Sequence, residues 1–160
     1  MGETFTHVIE AFRKVVTPQE EIMGGHVSVV ARPLTSEEAI GRPEHDDYPL
    51  LKGKERMMEA RFRGVPGQAY TDQIGNFEGS LEDVLQLPMN SNYQRAVLVA
   101  TLNAVLRYLK QLDKSCHCKD KDPVLCAPHL EEALAPFRPK RIGMIGHQPR
   151  LLERVSQHYS

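Results

Sequence analysis

Soft metal ligands are concentrated in one stretch of this sequence. Cys116, Cys118, Cys126 and His129 fall within fourteen residues of one another. Thiolate sulfur and imidazole nitrogen select zinc, copper(I) and similar thiophilic metals, and three sulfurs with one nitrogen make a closed tetrahedral site. The spacing matches no standard zinc-finger pattern. The alternative is therefore that Cys126 packs as a small apolar side chain and that the other two cysteines are loop thiols.

A second group of polar residues lies in the turn that Gly146, His147 and Gln148 form ahead of Pro149. The pattern predicts a strand over 141–146, then this turn, then a helix. Free backbone N–H groups at the positive end of a helix dipole suit a phosphate, a carboxylate or a metal-bound oxyanion. His147 could also transfer protons near neutral pH. The alternative is a tight turn with an exposed histidine.

Three further features could bind a ligand or be purely structural. Asn103 lies within an apolar helix, so its amide faces either a ligand cleft or the backbone of a neighbouring loop. The acidic loop at 44–47 could hold a divalent cation, or could simply be solvated. Arg61 and Arg63 alternate along a predicted strand, where they could hold an anionic substrate or face water.

The periodicity of apolar residues predicts the elements that must position these groups. Strands are expected at 26–31, where Pro33 should end the run, and at 58–63, 68–71 and 141–146. The strand at 58–63 should be half solvated. Helices are expected at 4–16, 81–87 with Ser80 as cap, 92–112 with Ser91 and Gln94 as a capping box, and 150–158. Pro128 should divide 123–135 into a first turn and a helix from 128, and 32–54 should be a long loop.

Four stretches of the chain carry a family resemblance. They are Gly64–Thr71, Arg95–Ala104, His117–Asp120 and Arg141–Pro149. Together they resemble uncharacterised proteins described as putative heavy-metal chelation proteins. That resemblance implies an α+β fold: an enolase-N-terminal-like domain, with a small antiparallel sheet packed with helices, over 1–138, and a Rossmann-like domain that starts at 139–160. Only 20 residues follow from Arg141 onward, whereas a βαβ unit needs about 30, so the second domain should be incomplete.

Composition excludes several classes of partner. The net charge is −1, from 20 basic and 21 acidic residues spread along the chain, which argues against nucleic acid as the ligand. No apolar window is long enough for a transmembrane helix, so no membrane partner is expected. An odd, clustered set of three cysteines without a secretory signal indicates reduced thiols and a cytoplasmic location.

These observations rank three functional hypotheses. The first is binding of a heavy metal or a small anionic ligand at the junction of the two domains. The second is an enzyme that acts on a small anionic metabolite, with His147 as acid and base. In the third, an unfinished strand–helix unit leaves an exposed apolar strand edge that a partner or a second copy completes. This hypothesis predicts a homo-oligomer.

Overall fold

A computed structural model describes residues 3–19, 22, 28–139, 141–144 and 147–159, and shows an α+β fold. The described residues form a four-stranded sheet with β1 (Ser28–Leu34), β2 (Arg56–Phe62), β3 (Val65–Thr71) and β4 (Phe77–Ser80). The helices are α1 (Glu3–Val16), α2 (Ser36–Ile40), α3 (Pro49–Lys52), α4 (Leu81–Leu85), α5 (Asn92–Tyr108), α6 (Asp122–Leu134) and α7 (Pro149–His158). A 3-10 turn, Ala135–Phe137, follows α6. None of the described helices is both long and apolar enough to cross a membrane.

The sheet is antiparallel throughout, in the order β3-β2-β1-β4. Strands β2 and β3 form a hairpin whose turn residues, Arg63 and Gly64, both have positive φ angles of 49° and 81°. That backbone geometry matches the right-handed twist of the two strands it joins. The register of the hairpin places Met58 opposite Ala69 and Ala60 opposite Gly67.

Helix α5 packs against β3 and β2, and one glycine allows it to come close. A Cβ atom on Gly67 would overlap the amide nitrogen of Ala104 and the carbonyl oxygen of Ala100. Both alanines are fully buried. Small residues on the strand and the helix therefore bring the two backbones into direct contact. The main hydrophobic core is built around this contact.

The chain divides into two compact units. The sheet unit comprises Met1–Thr35 and Glu55–His117, and holds α1, the four strands, α4 and α5. The helical unit comprises Ser36–Lys54 and Cys118–Ser160, and holds α2, α3, α6 and α7. Within the helical unit, α6 packs against α7, and Arg154 forms an ion pair with Glu131 at 2.6 Å. The domain boundary expected after residue 138 stays a prediction.

Elements with strong local signals are confirmed. The amphipathic segment at 4–16 forms α1, and the alternating segments near 58–71 form the hairpin. The Ser80 hydroxyl accepts a hydrogen bond from the Asp83 amide, and the Asp83 carboxylate accepts one from the Ser80 amide, which completes a capping box. The Ser80 hydroxyl also donates to the Asp83 carboxylate, and this bond, together with the one from the Ser80 amide, holds the pKa of Asp83 below its ordinary value. Ser91 likewise caps α5 by accepting from the Gln94 amide.

The expectations that depended on proline are wrong in two places. Strand β1 continues through Pro33, which pairs with Met58 beyond the Ser28–Ala31 stretch that pairs with β4. A proline there can leave its missing N–H on the side without a partner strand. Helix α6 continues through Pro128. The carbonyl of Val124, four residues earlier, lies on an exposed turn where water can replace the lost helical bond.

Three other expectations need correction. The segment at 32–54 is not a structureless loop, because it completes β1 and contains α2 and α3. Strand β2 is not half solvated, since Met57 and Glu59 are buried on the face opposite Met58. Residues 141–144 do not form a strand, and 145–146 lie outside the described residues. A strand needs a hydrogen-bonded neighbour, and no described strand pairs with this segment.

The contact at Gly67 makes a testable prediction about stability. Gly67→Ala should lower the free energy of unfolding by about 3 kcal/mol, because the new methyl group overlaps backbone atoms that cannot rotate away. Urea denaturation measures this. Gly143→Ala is the control: its Cβ would enter open space, so its effect should stay within about 0.5 kcal/mol. Equal stabilities for the two variants would contradict the close packing.

Candidate functional site

The four residues predicted to hold a metal have different environments. Cys116 belongs to the sheet unit, where its sulfur accepts a hydrogen bond from the Arg107 guanidinium at 3.7 Å. Cys118 belongs to the helical unit and is half-buried. Among the described residues, no group of three or more His, Cys, Asp or Glu side chains could hold a metal ion. A four-ligand zinc site therefore stays a prediction.

The remaining two predicted ligands lie on α6. Cys126 and His129 are both exposed and lie one helical turn apart. The Nδ1 atom of His129 lies 3.2 Å from the Glu132 carboxylate. Because this helix face is open to solvent, the pair could approach a metal ion without rearrangement of the fold.

The predicted anion-binding turn is only partly described. Gly146 lies outside the described residues, while His147 and Gln148 are exposed. Gln148 is the N-cap of α7, but its side chain makes no capping hydrogen bond. Arg150, in the first turn of α7, pairs with Asp47 at 2.6 Å and with a second carboxylate on its own helix. The role of 146–148 in binding an anion stays a prediction.

The Asn103 side chain ties α5 to β3. Its Nδ2 atom donates a hydrogen bond to the backbone oxygen of Gln68 at 2.9 Å. This contact corresponds to the backbone-tying alternative, although the partner is a strand and not a loop. A role for Asn103 in contacting a ligand stays a prediction.

A short segment of chain, Ser115–His117, runs along the outer edge of β3; we call it the edge segment. The Gln68 amide donates to the Ser115 carbonyl at 2.8 Å, and the Ser115 hydroxyl donates to the Pro66 carbonyl at 2.6 Å. The His117 amide donates to the Gln68 side chain, which in turn donates to the buried carboxylate of Glu59. These bonds satisfy backbone groups that an edge strand otherwise exposes.

The charged residues that could have held a cation or an anion have protein partners instead. Arg61 pairs with Glu59 at 2.9 Å, and Arg63 donates to the Tyr108 hydroxyl at 2.7 Å. A hydrogen bond from Lys52 lowers the pKa of Asp46 below its ordinary value. Each carboxylate of the acidic loop has a basic partner: Glu44 with Lys121, Asp46 with Lys52 and Asp47 with Arg150.

A cleft of about 450 Å³ lies within the sheet unit, between the end of β3 and the first turns of α5; we call it the β3–α5 cleft. Its apolar lining comes from Phe5, Ala69, Ala96 and Val99. Its polar lining comes from Glu55, Tyr70, Thr71, Asp72, Asn92 and Arg95. The four α5 residues in these lists follow the spacing of a single helix face. The cleft thus combines an apolar wall with a small set of polar groups, as ligand sites commonly do.

Arg95 supplies the cation of this cleft. Its guanidinium lies 5.7 Å from the centre of the Phe5 ring and donates one hydrogen bond, to the Asn92 side-chain oxygen at 2.8 Å. Its Nε atom is buried and has no hydrogen-bond partner in the described part of the chain. No carboxylate among the described residues forms an ion pair with it. A half-buried positive charge in this state is incompletely compensated.

Two carboxylates lie on the other side of the same cleft. The β2–β3 register sets Arg56 opposite Thr71, so Glu55 and Asp72 lie next to each other in register at the same end of the sheet. Both are exposed. The Asn92 amide donates to one carboxylate oxygen of Asp72 at 2.7 Å. Asn92 therefore connects the arginine to an aspartate through a neutral group.

Sequence reasoning did not identify the β3–α5 cleft. One signal was present, because Arg95 is a charged residue at the start of a helix that is otherwise apolar on most sides. Such a cation must reach solvent, a counter-ion or a ligand. The contributions of Phe5, Glu55 and Asp72 depend on contacts between distant segments and carry no local signal.

The tie between Asn103 and β3 makes a second prediction. Asn103→Ala should destabilise the protein by about 1–2 kcal/mol, because it removes one hydrogen bond and leaves the Gln68 carbonyl without that donor. Thermal and urea unfolding would measure this. Asn76→Ala removes an exposed amide that makes no side-chain hydrogen bond within the described part of the chain, so it should be neutral. Wild-type stability for Asn103→Ala would refute the structural role.

Comparisons with known proteins do not extend this description. Comparison of the chain with protein-family models, with curated proteins and with solved structures gives no match. The geometry of the β3–α5 cleft therefore carries the functional argument.

Proposed function

We propose that this protein binds a small molecule that has an anionic group, and that Arg95 holds this group in the β3–α5 cleft. The observation that carries the proposal is the environment of the Arg95 side chain. It lines a cleft, lies over an aromatic ring and forms no ion pair with a described carboxylate. A volume of about 450 Å³ falls within the range of small-molecule sites, about 300–1,000 Å³.

The chemistry of the guanidinium favours an anion. Arginine presents several N–H donors in one plane and binds carboxylate or phosphate oxygens in pairs. Of these donors, one Nη1 group bonds to Asn92, and Nη2 has no bond to any described residue. A hydrogen bond between charged groups is stronger than a neutral one, and more so where protein excludes water. The apolar wall of the cleft provides such partial exclusion.

The proposal keeps the small anionic ligand expected from the sequence but assigns it to a different site. A small anionic ligand was expected at 146–148 and at the junction of two domains. Arg95 and the cleft lie within the sheet unit alone. The enzymatic alternative with His147 and the homo-oligomer both stay predictions.

A single substitution tests the role of Arg95. Arg95→Met keeps an apolar stem over Phe5 but removes the charge, so binding of anions should weaken about 10- to 100-fold. The probes are acetate, inorganic phosphate and 3-phenylpropionate at constant ionic strength. In the wild type, at least one of them should shift the Arg95 Nε–H NMR signal saturably. Folding stability should change by no more than about 1 kcal/mol.

Arg107→Met is the matched control, because it lies on the same helix about 18 Å further along and does not line the cleft. This control should bind the probes as the wild type does. The proposal fails if no probe shifts the Arg95 signal, or if both variants lose binding equally.

Heavy-metal binding is the second candidate function, and the placement of Cys126 and His129 supports it. The two side chains lie one turn apart on an exposed helix face. This hypothesis predicts about one equivalent of zinc or a similar metal in the purified protein. Elemental analysis should show less metal in Cys126→Ser and in Cys118→Ser. Unchanged metal content in both variants would eliminate it.

A further inference from the structure

The charges of the β3–α5 cleft do not suit a simple anion. One cation, Arg95, faces two carboxylates, Glu55 and Asp72, and no other lining residue is charged at neutral pH. An anion would be attracted by the first and repelled by the other two. A ligand that carries one negative and one positive group can be attracted by Arg95 and by the two carboxylates at the same time. The lining therefore favours a ligand that places a negative group near Arg95 and a positive group near Glu55 and Asp72.

The two carboxylates keep capacity for a cation. One oxygen of Asp72 accepts from Asn92, and its other oxygen makes no bond to a described residue. The Glu55 side chain has neither an ion pair nor a hydrogen bond within the described ranges. Two carboxylates at the same end of a sheet both attract a cation placed between them. An ammonium group, with three donors, can bind to both.

The side chain of Asn92 shows which hydrogen-bonding groups a ligand needs here, namely an acceptor for Arg95 and a donor for Asp72. Its amide oxygen accepts from the Arg95 guanidinium at 2.8 Å, and its amide nitrogen donates to Asp72 at 2.7 Å. An acceptor thus faces the arginine and a donor faces the aspartate. An α-amino acid repeats this pattern with full charges, as its carboxylate accepts and its ammonium group donates. The separation of its two charged groups is comparable to that of the oxygen and nitrogen of one amide.

From this arrangement we infer that the ligand of the β3–α5 cleft is a zwitterion of the amino-acid type with an apolar side chain. The inference rests on the proposed function, because it needs Arg95 to hold the carboxylate. Asp72, together with Glu55, holds the ammonium group. Phe5 and Val99, on the apolar wall, contact the ligand's side chain.

Three probes that share one phenylethyl skeleton separate the two charges. They are L-phenylalanine with both charges, 3-phenylpropionate with the anion alone and 2-phenylethylamine with the cation alone. Isothermal titration calorimetry at fixed ionic strength should show phenylalanine binding at least about 10-fold more tightly than either analogue. Saturable shifts of the Arg95 Nε–H signal would place the carboxylate.

A variant of the acidic side isolates the ammonium contact. Asp72→Asn keeps an oxygen that can accept from Asn92 but removes the negative charge. It should reduce the affinity for phenylalanine to about that of 3-phenylpropionate, without weakening 3-phenylpropionate. Glu78→Gln is the matched control, since it removes an exposed carboxylate of β4 outside the cleft. That control should leave all three affinities unchanged.

The outcomes separate this inference from the proposed function. Equal binding of phenylalanine and 3-phenylpropionate would overturn the zwitterion and leave the anion site standing. Binding of acetate or phosphate at Arg95 without binding of any phenyl probe would do the same. Binding of 2-phenylethylamine as tightly as phenylalanine, with no response at Arg95, would overturn both.

Discussion

The direct contact between the backbones of β3 and α5 is the constraint on which the sheet unit depends. Gly67 has no side chain, and the helix backbone at Ala100 and Ala104 occupies the space that one would fill. The hydrogen-bonded geometry of a helix is regular, so the contact at Ala100 and Ala104 also fixes the position of the first turn of α5. Asn92 and Arg95 are held over the end of β3 for this reason. The position of the cleft thus follows from packing several residues away from it.

Strand β3 is also an edge strand, and backbone groups on its outer side form hydrogen bonds with two different parts of the chain. Asn103 provides a donor for the Gln68 carbonyl, and the edge segment provides an acceptor for the Gln68 amide. The Gln68 side chain then links the edge segment to the buried carboxylate of Glu59. Each of the groups named here is hydrogen-bonded to another, and such connected buried polar groups help to specify a single structure. The strand that borders the cleft is therefore held from both its helix side and its edge.

Local signals predicted a large part of the fold. The periodic segment of α1, the serine caps of α4 and α5, and the alternation of β2 each depend on neighbours within a few residues. Pro33 and Pro128 are tolerated because the cost of a proline depends on its surroundings, namely which side of β1 has a partner strand and whether water can reach the Val124 carbonyl. Those surroundings belong to the tertiary structure. The apolar run at 141–146 predicts a strand, yet strand formation also requires a neighbour, and the described residues 141–144 have none.

The candidate site could be predicted much less well. Cysteine and histidine, as at Cys116 and His147, have a distinctive chemistry at any position, whereas Arg95 and Asp72 become distinctive only through their placement. Phe5 and Glu55 reach the cleft from segments far away in the chain. The position of Arg95 at the start of the apolar α5 helix is a signal in the sequence, and it indicates a need for a partner without indicating which.

The edge segment has a consequence for how this chain is made. Gln68 and Ser115 are separated by 47 positions, so the contact that covers the edge of β3 is non-local and requires the closure of a long loop. During synthesis the hairpin leaves the ribosome well before residue 115 does. Until then its outer edge can pair with another nascent chain. Placement of Ser115–His117 against β3 covers backbone groups that would otherwise be open to such pairing.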